Sequence, residues 1–402
     1  MKLLQINVST NIGSTGRIAE DIGKTAIAHN YESYIAYGRT ARKSQSKLIK
    51  IETSLGIKLH GLISLLLDKH GLASVFATKK LIRKIQQISP DIIHIHNLHG
   101  YYINYEILFG YLNKLNIPVV WTFHDCWPIT GHCSHFDAVN CNQWKSECNN
   151  CPNQKGYPRS LFRDNSKANF YKKQEFFSSC KNLTIVTPSV WLANIVKQSY
   201  LREKKSMVIN NGIDINIFQP IQYNQILKKY SIPNKFIILG VANTWNKRKA
   251  YNDFLELNKL INDEYVIVLV GLNKKQKEKL PAGIIGISRT ENIGELAQLY
   301  SAAGVFMNPT WVDNFPTTNI EALACGTPVI TYNTGGSPEA VSIETGFVVE
   351  KGNIADLKKA IDTIKQNGKT FFSKECRQRA IDLYNKDNRY IDYINLYNSL
   401  LT

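Results

Sequence analysis

Short runs of β-branched and aromatic residues recur along this chain, each followed by a longer stretch whose apolar positions repeat at helical spacing. Leu3 to Val8, Ser33 to Tyr37, Asp91 to His96, Val119 to Phe123 and Leu183 to Thr187 read as strands, with amphipathic segments such as Ile18 to His29 between them. A second series follows: Met207 to Ile209, Phe236 to Val241, Tyr265 to Val270, Ile284 to Ile287, Val305 to Met307 and Pro328 to Thr331. Such alternation builds a parallel sheet covered by helices on both faces, the doubly wound α/β arrangement. Two series predict two lobes, residues 1–205 and 206–383, with a cleft between them. Tyr384 to Leu401 reads as a last, aromatic-rich helix, so that residues 384–402 cross back onto the first lobe.

A length of 402 residues suits two domains, and 44% hydrophobic content excludes a disordered chain. No run approaches the roughly 18 apolar residues of a membrane span, and the start MKLLQINVSTNIG reads as strand and loop, so a cytoplasmic protein is expected. Charge is lopsided. Residues 1–205 carry 27 Lys and Arg against 13 Asp and Glu, whereas residues 206–402 carry 22 against 19. An acidic partner for the first half follows: an anionic membrane surface or, less in keeping with the rest of the chain, nucleic acid; a merely solvated basic surface is the plain alternative. Leu55 to Ile85 mixes apolar patches with Lys58, Lys69, Lys79, Lys80, Arg83 and Lys84, which suits either a peripheral membrane face or a core helix with a basic outer side.

The chemistry concentrates at predicted strand ends. Asp313 to Gly336, DNFPTTNIEALACGTPVITYNTGG, places two acids eight residues apart around a helix expected to begin near Ile320, capped by Thr317, Thr318 and Asn319, with Glu321 in its first turn. A helix start favours a diphosphate, and carboxylates beside a diphosphate can grip sugar or ribose hydroxyls. Upstream, Lys247, Arg248 and Lys249 follow a strand and precede a helix, where cations can neutralise a departing diphosphate. In the first half, Gly13 and Gly16 stand between the first strand and first helix. His96, His124 and Asp125 close two further strands, at the edge where open α/β sheets bind ligands. His94 is expected to point away from the side His96 faces.

The 313–336 segment resembles the E-x7-E signature of retaining family 4 glycosyltransferases, with Asp313 in place of the first Glu and Glu321 as the second. Further matches extend the resemblance over nearly the whole chain: Asn211-Gly212-x-Asp214-x3-Phe218, the glycine loop at Gly13 and Gly16, and the strand-end His124. It implies a two-lobed GT-B fold of Rossmann-like lobes and a nucleotide-sugar donor. By this resemblance Glu321 binds the ribose, Asp313 and His124 face the donor sugar, and Asn314, Phe315, Pro316, Thr317 and Thr318 line the diphosphate. Gly13 and Gly16 lie against the diphosphate or the acceptor, and His96 and Asp125 fall on the acceptor side. Lys249 matches the family lysine, Ala250 replaces the glycine after it, and either Lys247 or Arg248 stands for the family arginine. No D-x-D occurs, so catalysis without Mg or Mn is expected. The activity implied is sugar transfer to a saccharide or polyprenyl-diphosphate-linked acceptor in capsule, O-antigen or exopolysaccharide synthesis, at the inner face of the plasma membrane, with no nucleic acid partner. Two rivals are a nucleotide-sugar 2-epimerase of the same fold and a zinc-containing nucleic-acid-binding protein.

Cys133, Cys141, Cys148 and Cys151 fall within 19 residues, with His132 and His135 adjacent. Four thiols including a C-x2-C pair suit a structural zinc ion, free or redox-sensitive thiols are the second reading, and disulfides the third. This loop, residues 126–152, resembles that of glycosyltransferases in colanic acid and other exopolysaccharide assembly, and is expected to shape the acceptor side.

Overall fold

A computed structural model describes residues 1–402, and the chain divides into two compact units, one formed by 1–210 with 389–402 and the other by 211–388. In the first unit, seven strands pair in parallel: β1 (Lys2–Thr10), β2 (Glu32–Ala41), β3 (Lys47–Lys50), β4 (Ile92–Ile95), β5 (Val119–Thr122), β6 (Leu183–Thr187) and β7 (Lys205–Val208). Their order across the sheet is β3-β2-β1-β4-β5-β6-β7. The order reverses between β1 and β4, so the carboxyl ends of those strands open the crevice where ligands bind in such sheets. The loops there carry Gly13 on one side and His96 on the other.

Buried apolar side chains on both faces hold the sheet. Trp121, Phe109, Phe177 and Trp127 form one packed group, with Trp121 and Phe177 ring centroids 4.8 Å apart. The opposite face is covered by the last helix, Lys386–Leu401, whose Tyr390, Tyr393, Ile394 and Tyr397 pack with Leu3, Ile22, Ile92 and Val120. Polar contacts fix that helix in place: Tyr31 Oη donates to Asn398 Oδ1 at 2.6 Å, and Tyr397 Oη meets His94 Nδ1 at 2.7 Å. Each is buried or partly so, where losing one partner costs about 1–3 kcal/mol.

β7 corrects the expected domain organisation. Residues 207–209 were expected to open the second lobe from 206 onward. Instead Lys205 to Val208 bond along Thr184 to Thr187, because the alternating pattern there matches the unpaired edge of β6, and the units divide after Asn210.

The second unit holds six parallel strands: β8 (Phe236–Val241), β9 (Tyr265–Val270), β10 (Ile284–Ile287), β11 (Val305–Asn308), β12 (Val329–Tyr332) and β13 (Gly346–Val349), in the order β10-β9-β8-β11-β12-β13. Here the order reverses between β8 and β11, so the loops carrying Lys249 and Asp313 leave neighbouring strands at their carboxyl ends. No helix in the chain is long and apolar enough to cross a membrane.

Candidate active site

In the second unit, the 3-10 turn Lys247–Lys249 is tied to the loop after β11. Trp311 N–H donates to Arg248 O at 2.9 Å, and Arg248 Nη1 donates to Val312 O at 3.0 Å. Trp311 Nε1 and Tyr332 Oη both donate to Asp253 Oδ2, at 3.0 and 2.7 Å, which anchors the same loop from beneath. Lys249 Nζ then meets Asp313 Oδ2 at 2.5 Å, with Arg248 Nη1 3.9 Å from the same oxygen. Arg248 is thus the second cation beside Asp313. Lys247, also expected to bind the diphosphate, is exposed and bonds to none of these groups. Ala250, where the family has glycine, holds the left-handed conformation at φ 56°, which ends the turn and starts the helix Tyr251–Asn258.

The helix expected from Ile320 begins three residues earlier. Pro316, with φ −69° and ψ 119°, occupies the cap, and the helix runs Thr317–Ala324 without a side-chain cap. Proline's fixed φ suits a helix entry, which the sequence reading assigned to the polar residues after it. Glu321 therefore lies beyond the first turn, where it is buried and its Oε2 accepts from Tyr300 Oη at 3.0 Å. Asn319 is not a cap: its amide bridges Asn308 and Ser337 inside the core. Phe315 turns its ring into the core against Tyr384, 5.7 Å between centroids, and offers the loop only its backbone. Thr317 and Thr318 are half-buried at the helix start.

In the first unit, the helix Gly13–Ala28 starts directly after β1, with Gly13 at φ 69° and open space where a side chain would stand. Gly16 serves packing, because a Cβ there would meet Ser9 O at 3.1 Å. His124 is half-buried, and its Nε2 lies 3.1 Å from His96 Nδ1. Burial holds the His124 ring down at about 4, against a smaller upward pull from Asp125.

Two expected acceptor-side residues are enclosed. His96 is 1% exposed, and both its ring nitrogens are engaged, by His124 and by Gln5 Oε1 at 3.0 Å. It stands behind His124, because β4 and β5 run side by side and their last residues stack. His94 was expected to point away from His96, yet the two rings lie 4.1 Å apart, because residues two apart along a strand share a face. Asp125 spends its oxygens on Trp127 N–H at 2.9 Å and His99 Nε2 at 2.7 Å. Beside that pair opens a cavity of about 350 Å³ lined by Val8, Ser9, Arg39, Thr40, His99 and Tyr157. His99, Arg39 and Tyr157 are site-lining residues that strand-end reasoning alone did not isolate.

The cysteine loop packs as an apolar unit. Phe136 lies on the buried Trp144 at 4.8 Å, and Gly131 N–H donates to Cys148 Sγ at 3.3 Å. All eight cysteines are free thiols. The neighbouring Cys133 thiol draws Cys151 below the usual thiol range, with His132 adding to the effect. The potential ligands whose donor atoms lie within 4.8 Å of one another are Asp68, His70 and His132, and the four thiols expected to share a zinc ion are not gathered to that spacing. Nor does that triad suit a metal. Trp127 Nε1 donates to His70 Nδ1 at 2.7 Å, which leaves the proton of neutral His70 on the nitrogen facing Asp68. His132 Nδ1 meets Asp68 Oδ1 at 2.6 Å, and the buried Lys173 amine stands close by. Asp68 also accepts from Asn165 N–H at 2.8 Å, so the group is a hydrogen-bonded core that ties the loop to the end of the helix Ser54–Leu67 and the start of the helix Ser166–Ser178.

Comparison with known proteins identifies the family. Residues 15–217 match the family described as Glycosyltransferase Family 4, and residues 222–382 match Glycosyl transferases group 1. The putative colanic acid biosynthesis glycosyl transferase WcaC of Escherichia coli K12 is 23% identical over 427 residues, covering all of both chains. The N,N'-diacetylbacillosaminyl-diphospho-undecaprenol alpha-1,3-N-acetylgalactosaminyltransferase of Campylobacter jejuni is 24% identical over 52% of this chain and 58% of its own. Among solved structures, HepE of Anabaena in complex with UDP superimposes with a TM-score of 0.70 at 16% identity, covering 99% of this chain and all of that one. With two parallel-sheet units, a basic turn facing an acidic loop at the second sheet's reversal, and a family match across half its length, this chain belongs to Glycosyltransferase Family 4 and has the two-lobed GT-B fold.

Proposed function

We propose that the protein is a retaining glycosyltransferase that moves a sugar from a nucleotide-diphosphate donor to a saccharide acceptor carried on a lipid diphosphate, in capsule, O-antigen or exopolysaccharide synthesis. The observation that carries this reading is the Lys249 and Arg248 pair set on Asp313 beside the start of the helix Thr317–Ala324. As the bond from sugar C1 to the phosphate oxygen breaks, negative charge grows on the diphosphate. Lys249, Arg248 and the helix start stabilise that charge more than the ground state, which is what lowers a barrier. Positive charge from the protein takes the place of a divalent metal. Glu321 grips the ribose hydroxyls and Asp313 the donor sugar. The acceptor oxygen bonds to C1 on the face the phosphate leaves, and the acceptor's hydroxyl proton passes to the leaving phosphate oxygen, so no protein nucleophile is consumed.

The first unit receives the acceptor. Supporting this are the cavity with the guanidinium of Arg39 and the ring of Tyr157, and a surface suited to an anionic bilayer. The helix Ser54–Leu67 is inverted: it buries His60 and Ser64 while Leu55, Leu59 and Leu62 face outward. Phe76 is 87% exposed nearby, among the exposed Lys58, Lys79, Lys80 and Arg83. Leucines shown on a basic surface fit the cytoplasmic leaflet that holds lipid-linked sugars. The relative from Campylobacter, whose name includes a diphospho-undecaprenol acceptor, supports the same reading.

The test is a thermal-shift panel of UDP-, GDP-, ADP-, TDP- and CMP-sugars with and without EDTA, on wild type and Glu321→Gln, which keeps an acceptor for Tyr300. One nucleotide class should raise the wild-type midpoint regardless of EDTA, with affinity about tenfold weaker in the variant. Loss of the shift with EDTA would refute the metal-free reading, and no shift with any donor would refute donor binding.

A further inference from the structure

Three groups in the first unit form a chain whose hydrogen positions are fixed by chemistry. Gln5 lies in β1, and its Nε2 is 2.8 Å from Ala19 O. A carbonyl only accepts, so that end of the amide is the NH2 and the other end, 3.0 Å from His96 Nε2, is the oxygen. His96 must then donate from Nε2. As a neutral ring it has a bare Nδ1, and that nitrogen receives its hydrogen from His124 Nε2 at 3.1 Å. His124 is left as the Nε2–H tautomer. Its Nδ1 carries a lone pair and no proton, and makes no hydrogen bond within the protein.

The surroundings keep both rings neutral. His96 is enclosed, with the tilted ring of His94 at 4.1 Å, and burial pushes it well below its usual range. His124 feels Asp125 and His99, which oppose one another, and burial dominates both. The Asp125 charge is already engaged by His99 at 2.7 Å, so it does not call a second proton onto His124.

We infer that Gln5, acting through His96, is a positioning residue that presents His124 to the substrate as a hydrogen-bond acceptor only, so that His124 takes the hydrogen of a sugar hydroxyl and disfavours a carboxylate or phosphate oxygen. A bare imidazole nitrogen facing an oxyanion sets two lone pairs against each other. The sugar that meets His124 is therefore neutral and hydroxylated at that position. A hexuronate with its carboxylate there is excluded. This specificity rests on the glycosyltransferase reading above, whereas the tautomer chain rests on the first unit alone.

The tautomer is read directly by long-range ¹H–¹⁵N correlation on the full chain with ¹⁵N-labelled histidine rings, with His124 assigned through His124→Asn. Wild type at neutral pH should show His124 protonated at Nε2 and bare at Nδ1. Gln5→Leu removes the acceptor, letting His96 protonate Nδ1 and donate to His124, whose proton moves to the other nitrogen. A wild-type ring protonated at Nδ1 overturns the inference without any variant, and so does a Gln5→Leu spectrum identical to wild type. Titration with UDP-glucose and UDP-glucuronate, which differ at C6, reads the consequence: wild type should prefer the glucose form about tenfold more strongly than Gln5→Leu does. Equal preference in the two proteins counts against the specificity. Binding of neither compound alongside the expected spectrum counts against the donor reading and leaves the relay standing.

Discussion

Gly335, at φ 56°, lies against the backbone of the acid loop so closely that a Cβ there would fall 1.8 Å from Asp313 O. A backbone oxygen cannot give way as a flexible side chain can, so any larger residue displaces Asp313 from Lys249. Gly335→Ala should retain a folded second unit by circular dichroism yet lose transfer activity by on the order of 100-fold, the scale of misplacing a reacting group by about 1 Å. Activity near wild type would show that Asp313 has no fixed place in the reaction. The candidate residues Asp313, Glu321 and Lys249 stand out in the sequence because their spacing and neighbours form a linear motif. Gln5 was not, because its place behind His96 depends on β1 and β4 pairing across 89 residues of chain, with Gln5 opposite His94. Asp125 misled for the complementary reason: an acid beside a strand-end histidine looks free to meet an acceptor until Trp127 and His99 are seen to occupy it.

At the scale of elements, eleven strands were legible from apolar runs, while β3 and β13 were not. Lys47–Lys50 is mostly exposed and Gly346–Val349 has two buried positions, so neither carries a buried alternation that stands out from a loop. The helix Ser54–Leu67 shows a sharper limit. Its composition left a core helix and a membrane face equally open, and the structure buries His60 and Ser64 while Leu55, Leu59 and Leu62 are exposed. Co-sedimentation with vesicles of anionic phosphatidylglycerol should show binding that weakens steeply from 0.1 to 0.5 M salt, as polybasic attachment does. Leu59→Glu together with Phe76→Glu should reduce it by about tenfold or more, since each buried apolar side chain contributes about 1.5–3 kcal/mol. Binding unaffected by these changes would move the membrane face elsewhere.

Across the whole molecule, the two units differ in their response to acid. All nine histidines precede Asn211, so the second unit contains none. Burial lowers His60 and His124 to about 4 and His94 to about 3, and lowers His70 and His96 as well. Unfolded histidine titrates near 6.5, so between there and about 4 the unfolded chain takes up protons that the folded one refuses. Stability from these rings is complete above that window and lost as pH falls through it, by about 2 kcal/mol at pH 5 for a ring lowered to about 4. His132 works the other way: burial pulls it down, but the Asp68 carboxylate outweighs this and raises it. Calorimetry at pH 7.5, 6 and 5 should show one transition moving sharply to lower temperature and one nearly stationary. Parallel movement of both would contradict the neutral buried rings. The return of residues 389–402 to the first sheet has a further consequence during synthesis. As the chain leaves the ribosome, the first unit emerges earliest but waits for tyrosines translated after the entire second unit. The later domain can close first, and the nascent first sheet, with Leu3, Ile92 and Val120 uncovered on one face, is the surface a chaperone would have to guard.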